Sequence, residues 1–219
     1  MGFRLDGFVG VNQMADGNQA AALTRYGRDG SLIVSETHGK YYEAASRGNM
    51  YHADVGTAGI ALIVAAVTGN HPTLWNPLGS GVNAEIVRLQ FTWISGNNAP
   101  TATYWMSTSP AGAAIATGAP IATFTSVATA NCLTGFGKVG AVRWAPAVNT
   151  FTAVPAFLMG TGISLFTGVG ATAVAPFTLV VDYDGMLVVP PGTALSLTSQ
   201  AATTTALFAI SVFCVEQAV

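Results

Sequence analysis

Three histidines, His38, His52 and His71, could act as general bases or metal ligands in this chain. His38 stands two residues after Glu36, and His52 stands two residues before Asp54, so each pair could supply a base and the carboxylate that orients it. The histidines lack the spacing of a zinc site, and no Gly-x-Ser-x-Gly motif or phosphate-binding glycine loop is present. We therefore expect no bound metal, no cofactor and no nucleophilic catalysis.

Asp182 and Asp184 are a candidate pair of carboxylates for glycoside hydrolysis, which uses two such groups. Asp184 precedes Gly185 between two runs of β-branched residues, a pattern typical of a tight two-residue hairpin turn. The pattern predicts paired strands at 177–183 and 186–189, with Asp184 as a turn former rather than an acid. After residue 54 only seven charged residues remain, too few to tune acids and bases, so we expect a protein that is not an enzyme.

The segment 38–51, HGKYYEAASRGNMY, holds an unusual concentration of charged and aromatic side chains. Helix formers followed by Gly48 predict a short helix at 40–48, on which Glu43 and Arg47 are four residues apart and close enough to pair. Tyrosine and arginine are enriched where proteins bind proteins. Two interpretations stay open: a helix packed on its own domain, or a contact between subunits made by Tyr41, Tyr42, Glu43, Arg47 and Tyr51.

The composition excludes several classes of protein. Only 8% of the residues are charged, against about 25% in an average soluble domain. A net charge of −2 argues against nucleic acid as a partner. The apolar runs at 55–67 and 206–215 are shorter than the ~18 residues of a membrane helix, so no membrane partner is expected. Cys132 and Cys214 are interpreted as free buried thiols, with a disulfide as the alternative.

Charge divides the chain into an arm and a body. Residues 1–54 hold eleven of the eighteen charged residues, and we predict an extended N-terminal arm, 1–55, that carries one or two short helices at 19–27 and 40–48. The rest, 56–219, is predicted as one mainly β domain, a β-sandwich or jelly roll, because short alternating runs are separated by Gly, Pro and Asn.

Four stretches of the body predict individual strands. The alternation at 82–95 places Val87, Leu89, Phe91 and Trp93 on one face of a half-buried strand. A loop signal then predicts a hairpin with a strand at 101–108. After the Pro-Pro-Gly break at 190–192, TALSLTS predicts another strand, and the doubly apolar run ALFAISVFCVE predicts a central one.

Three stretches resemble virion structural proteins of tailed bacteriophages and prophages, mostly of unassigned role. They are GRDGSLIVSETHGKYYEAASRGNMYHA at 27–53, NPLGSGVNAEIVRLQF at 76–91 and DGMLVVPPGTALSL at 184–197. The last also resembles trimeric jelly-roll modules in which Pro-Pro-Gly precedes a strand near the C-terminus. The resemblance implies a surface component of the particle, either a capsid decoration protein or part of the tail apparatus.

Together these observations predict a non-enzymatic capsid decoration or stabilising protein of the virion, made in the host cytoplasm. Its expected partners are itself, as a homotrimer, and other phage capsid or tail proteins. The alternative is a receptor- or glycan-binding module of the tail or head fibre. In that case Trp75 and Trp105 would stack on sugars and Asn97 and Asn98 would hydrogen-bond to them.

Overall fold

A computed structural model of the chain describes residues 39–96, 127–161, 178–199 and 206–219 in full. For strand residues 6–7, 22–23, 101–107, 121–123 and 162–164 it describes the backbone alone. The chain forms two compact units, Met1–Lys40 and Tyr41–Val219. In the first unit, strand β1 (Asp6–Gly7) pairs antiparallel with β2 (Ala22–Leu23). The two described residues of the predicted helix at 19–27 therefore form a strand.

The second unit contains one short helix and thirteen strands among its described residues. These are α1 (Tyr42–Ser46), β3 (Met50–Asp54), β4 (Thr68–Asn70), β5 (Thr73–Asn76), β6 (Val82–Ser95), β7 (Thr101–Ser107), β8 (Ile121–Thr123), β9 (Val127–Asn131), β10 (Val139–Ala145), β11 (Val148–Phe151), β12 (Ala156–Ser164), β13 (Thr178–Val189), β14 (Thr193–Ser199) and β15 (Leu207–Ala218). The order in the main sheet is β12-β7-β14-β5-β10-β9-β3-β15-β6-β13, and β4-β11-β8 form a separate small sheet.

The prediction of a mainly β fold is confirmed. The ten-stranded sheet curves into a nearly closed, barrel-like arrangement around one apolar core, to which Leu74 of β5, Ile86 of β6 and Leu195 of β14 all contribute. Asn76 links β5 to β6 and β13 across the curved sheet. Its side-chain amide donates to the carbonyl oxygens of Val82 (2.7 Å) and Val189 (2.8 Å). No helix in the described part of the chain is long and apolar enough to cross a membrane.

The strands predicted at 82–95, at 193–199 and near the C-terminus are all present. β15 lies between β3 and β6, as expected for a run that is apolar on both faces. On β6, Leu89 and Phe91 are buried in the core and Arg88 is exposed. Val87 is also buried, at 3% exposed, as the alternation predicts. It lies at a bulge, because β15 pairs Phe213 with Arg88 and Cys214 with Ile86 and leaves Val87 as an extra residue.

The predicted hairpin at Asp184–Gly185 is wrong. Both residues do adopt the left-handed backbone of a tight turn, with φ of 51° and 83°. However, the residues before and after them all pair antiparallel with β6, with a shift of register between Asp182 and Leu187, so β13 is a single bulged strand. Because β6 is fourteen residues long, it can pair with both halves, and the turn becomes a bulge.

The predicted hairpin of β6 with the strand that follows it is also wrong. β13 and β15 occupy the two edges of β6, whereas β7 pairs with β12 and β14 in a distant part of the sheet. A strand has only two hydrogen-bonding edges, so no place beside β6 is left for β7.

The predicted arm and the compact units divide the chain at different positions. The unit that contains the main sheet begins at Tyr41, so it includes α1 and β3. β3 pairs with β15 over Met50–Asp54 and, on its other edge, with β9 at Tyr51 and His52, which places it inside the sheet. Removing residues 1–55 would therefore take out an internal strand.

Candidate interaction surface

The segment Tyr41–Gly48, called the clasp below, crosses the outside of the main sheet. Within it, α1 has no buried residue, and Glu43 forms an ion pair with Arg47 one turn later. Both side chains of this pair are 49% exposed. The ion pair that the spacing predicted therefore forms within the helix. The charges of Glu43 and Arg47 pair with each other.

The C-terminal end of the clasp is fixed to the body at Gly48. Its carbonyl oxygen accepts hydrogen bonds from the side chains of Asn131 (2.8 Å) and Lys138 (3.3 Å). Gly48 has φ of 68°, and a Cβ there would lie 2.4 Å from the Phe136 ring. Glycine is required twice, for the left-handed turn that ends the helix and for the space that the ring occupies.

The N-terminal end is fixed at Tyr41, whose hydroxyl donates to a carboxylate oxygen of Asp184. Asp184 lies in the bulge of β13 and is the one non-glycine residue of this strand with positive φ. The backbone of the bulge therefore sets the position of the carboxylate. The bulge is thus the element that positions the attachment point. With both ends fixed, the middle of the clasp presents Tyr42, 50% exposed, to the outside.

The second carboxylate of the predicted pair, Asp182, faces Arg88 across β13 and β6. Arg88 donates from Nε to Oδ1 at 2.6 Å and from a terminal nitrogen to Oδ2 at 3.3 Å. The hydrogen bonds and the negative charge of Asp182 raise the pKa of Arg88 above its ordinary value. Asp182 and Asp184 thus bind different partners, Arg88 and Tyr41, and act here as structural acceptors.

A pocket of about 180 Å³ lies beside the clasp, lined by Tyr41, Met50, Val87, Arg88 and Phe213. Val87, at the bulge of β6, forms part of the pocket lining although it is only 3% exposed. Pockets for small-molecule ligands typically measure ~300–1,000 Å³. The pocket on this surface is therefore of a size for a single side chain.

Exposed apolar side chains of β13 belong to the same side of the sheet as Asp182. The burial of β13 alternates along its length, and its exposed positions include Val180, Met186 (67% exposed) and Val188. The hydrogen bond from Tyr41 to Asp184 joins the clasp to this side of β13. We call the clasp and these exposed residues of β13 the clasp face, and it also includes the ion pairs Glu43–Arg47 and Arg88–Asp182.

The structure separates the other predicted contact residues. Tyr51 lies in the core with no exposed surface, so it offers nothing to a partner. Trp75 is partly buried against Phe151 and Ala194. The side chain of Trp105 and residues 97–98 lie outside the described residues, so the glycan hypothesis stays a prediction.

The histidines and cysteines do not assemble into a reactive centre in the described part of the chain. No group of three His, Cys, Asp or Glu there could hold a metal ion. His52 lies in β3 with its ring 6.1 Å from that of Phe213, and His38 lies outside the described residues. Cys132 and Cys214 are both free thiols, as interpreted, but only Cys214 is fully buried and Cys132 is partly buried. Burial raises the pKa of both.

His71 is fully buried, and neither of its ring nitrogens has a hydrogen-bond partner among the described residues. Burial lowers the pKa of His71 to about 4, and the nearby backbone of Ala66 offsets only part of this effect.

The sequence predicted the short helix of the clasp but not the residues that attach it to the body. Phe136 and the β13 bulge lie far from the clasp in sequence, and no local pattern connects them. The glycine that closes the predicted helix was the one available signal, because it marks a place where another group can approach.

A scan against protein-family models, a search of curated proteins and a search of solved structures each find no match to this chain.

Proposed function

We propose that this chain is a non-enzymatic structural protein of a phage particle, a capsid decoration protein that assembles with copies of itself. The observation that carries the proposal is the clasp face. It combines the exposed side chains of Tyr42, Met186 and Val188 with two half-exposed ion pairs. An apolar centre with a polar rim is the usual anatomy of a protein–protein interface.

The way the clasp is held supports a role in contact rather than in catalysis. A segment fixed at both ends keeps its exposed side chains in place before a partner arrives, so little ordering entropy is lost on binding. The two carboxylates nearest to it are bound by Arg88 and Tyr41. Rigid presentation of an aromatic side chain is a property that a binding surface needs.

Further exposed apolar side chains support assembly into a larger particle. Phe136, Val139 and Phe157 are each about half exposed or more, and they lie on different parts of the sheet and its connections. Contacts with several neighbours would cover such groups, and a shell of repeated copies provides several neighbours. The jelly-roll topology and the trimer belong to this proposal, on the resemblance of residues 184–197 to trimeric modules.

The test uses sedimentation of the full-length chain and two matched variants. Tyr42→Lys places a charge in the centre of the clasp face, whereas Leu78→Lys places the same charge at an exposed apolar position on the β5–β6 connection. We expect Tyr42→Lys to weaken self-association at least tenfold and Leu78→Lys to leave it near wild type. If both variants self-associate equally, the clasp face is not the contact between copies, and this part of the proposal is refuted.

Membership of the particle needs its own test. Mass spectrometry of purified phage particles from a genome that encodes this chain should find it in a fixed ratio to the major capsid protein. Its absence from intact particles would refute the virion assignment and leave any self-association unaffected.

A further inference from the structure

We propose that the three-stranded sheet β4-β11-β8 is an acid-sensitive layer, which opens from the main sheet when His71 takes up a proton. This inference is independent of the proposed function. It begins from the position of His71, on the link between β4 and β5, where a strand of the small sheet is joined directly to a strand of the main sheet.

Among the described residues, the small sheet is attached by few apolar contacts. They form a cluster of Phe151 with Ala194 and Trp75, separate from the large core of the main sheet. Asn149 adds polar attachments, since its side-chain amide lies 2.5 Å from the carbonyl oxygen of His71, 3.3 Å from that of Ala145 and 3.4 Å from Thr73 Oγ1. Elements with few buried apolar contacts open at lower free energy than the whole fold does.

The imidazole of His71 lies within this attachment. Its ring centre is 5.3 Å from that of Phe151, and a Cβ on Gly69 would lie 3.5 Å from its Nε2. The ring is fully buried and has no hydrogen-bond partner among the described residues. A proton added here would place a charge between the two sheets that the Ala66 backbone offsets only in part, and such a charge is costly unless it is neutralised or exposed to water.

No counter-charge is available on the elements around the ring. The sequences of β4, β5, β8, β11 and β14, and of the stretch 61–67 beside them, contain no Asp, Glu, Lys, Arg, Tyr or Cys. The nearest charged residue on a neighbouring strand is Arg143 of β10, which pairs in register with Trp75 of β5. Arg143 is itself a cation, so it would oppose a second positive charge rather than neutralise it.

The sign of the pH effect follows from the direction of the shift. The closed layer holds His71 with its pKa lowered to about 4, whereas the open layer exposes it near the ordinary value of 6.5. Closure is therefore fully favoured above pH ~6.5 and loses its advantage as the pH falls toward 4. For one proton, these two pKa values raise the opening equilibrium about twentyfold between pH 7 and pH 5.

Hydrogen exchange of the intact chain tests this inference, with rates corrected for the intrinsic effect of pH. The reporter is the Phe151 amide, which donates to the Val67 carbonyl at 2.7 Å within the layer. It reports the opening because three short strands released from the main sheet lose the packing that keeps their hydrogen bonds protected. The reference is the set of amides in the β15–β6 ladder. We expect the opening of β11 to rise about twentyfold from pH 7 to pH 5 while the ladder stays protected. In His71→Phe, whose side chain does not titrate, the rise should disappear.

Two results would overturn the proposal. An unchanged β11 opening constant in the wild type would mean that His71 does not drive the layer, and an equal rise in both sheets would mean that no local layer opens. Direct titration of the His71 ring by NMR in the wild type covers the case in which His71→Phe does not fold. A midpoint near 6.5 in the closed state would exclude the mechanism.

Discussion

Replacing Gly140 with alanine tests how the centre of the main sheet is assembled. Glu216 of β15 reaches across to β10, where its two carboxylate oxygens accept the backbone N–H groups of Ala141 (3.2 Å) and Val142 (2.9 Å). These residues lie where the pairing of β10 with β9 shifts register, so the carboxylate replaces partners that the ladder does not supply. A Cβ on Gly140 would lie 1.9 Å from Thr129 Oγ1 and 2.6 Å from Glu216 Oε1.

Two costs add in the Gly140→Ala variant. Overpacking of a well-packed site costs ~1–3 kcal/mol. Displacing the carboxylate weakens hydrogen bonds to a charged group, each of which contributes ~1.5–3 kcal/mol when fully formed. Because Glu216 is only partly buried, we take the low end of both ranges and expect a loss of about 3 kcal/mol in the free energy of unfolding.

Urea unfolding measures this loss, with tryptophan fluorescence, to which the buried Trp144 contributes, as the signal. Gly39→Ala is the control, since a Cβ at Gly39 would meet nothing within 4 Å. Thr129→Ala removes the nearest obstructing atom, so the double variant should recover part of the loss. A cost below about 1 kcal/mol for Gly140→Ala, or strict additivity of the two changes, would refute the reasoning.

Three further predictions concern the clasp and the thiols. Gly48→Ala should lower the free energy of unfolding by ~2 kcal/mol or more in a urea titration. The reason is that alanine at this position combines a left-handed backbone with a clash against Phe136. A loss below ~0.5 kcal/mol would contradict this. Asp182→Asn should cost only ~0–1 kcal/mol in the same assay, since its ion pair with Arg88 is about half exposed; a cost above ~2 kcal/mol would show a larger role. In the native protein at pH 8 a thiol reagent should leave Cys214 unmodified until urea unfolds the chain, because burial raises its pKa and blocks access, and rapid labelling would contradict its position.

The sequence was informative where a pattern depends on neighbouring residues. The alternation at 82–95 and the doubly apolar C-terminal run each identified a strand, since burial of one or both faces leaves a local record in residue types. Glu43 and Arg47 pair as their spacing indicates, for the same reason.

Pairing between distant strands left no such record. Asp184–Gly185 has the backbone of a hairpin turn, yet β6 extends past it and keeps both halves of β13 in one strand. The attachment of the clasp likewise depends on Asp184, Asn131 and Lys138, which lie 83 to 143 residues from the groups they bind. Tyr51 was misjudged because its position in a charged segment concealed that it belongs to a strand inside the sheet.

The solution mass of the purified full-length chain, measured by light scattering over a range of concentrations, tests the central claim of self-assembly most directly. The proposal predicts a discrete multiple of the 22.4 kDa chain, three times that mass for the trimer, and its reduction by Tyr42→Lys. A mass of 22.4 kDa at every concentration would contradict it.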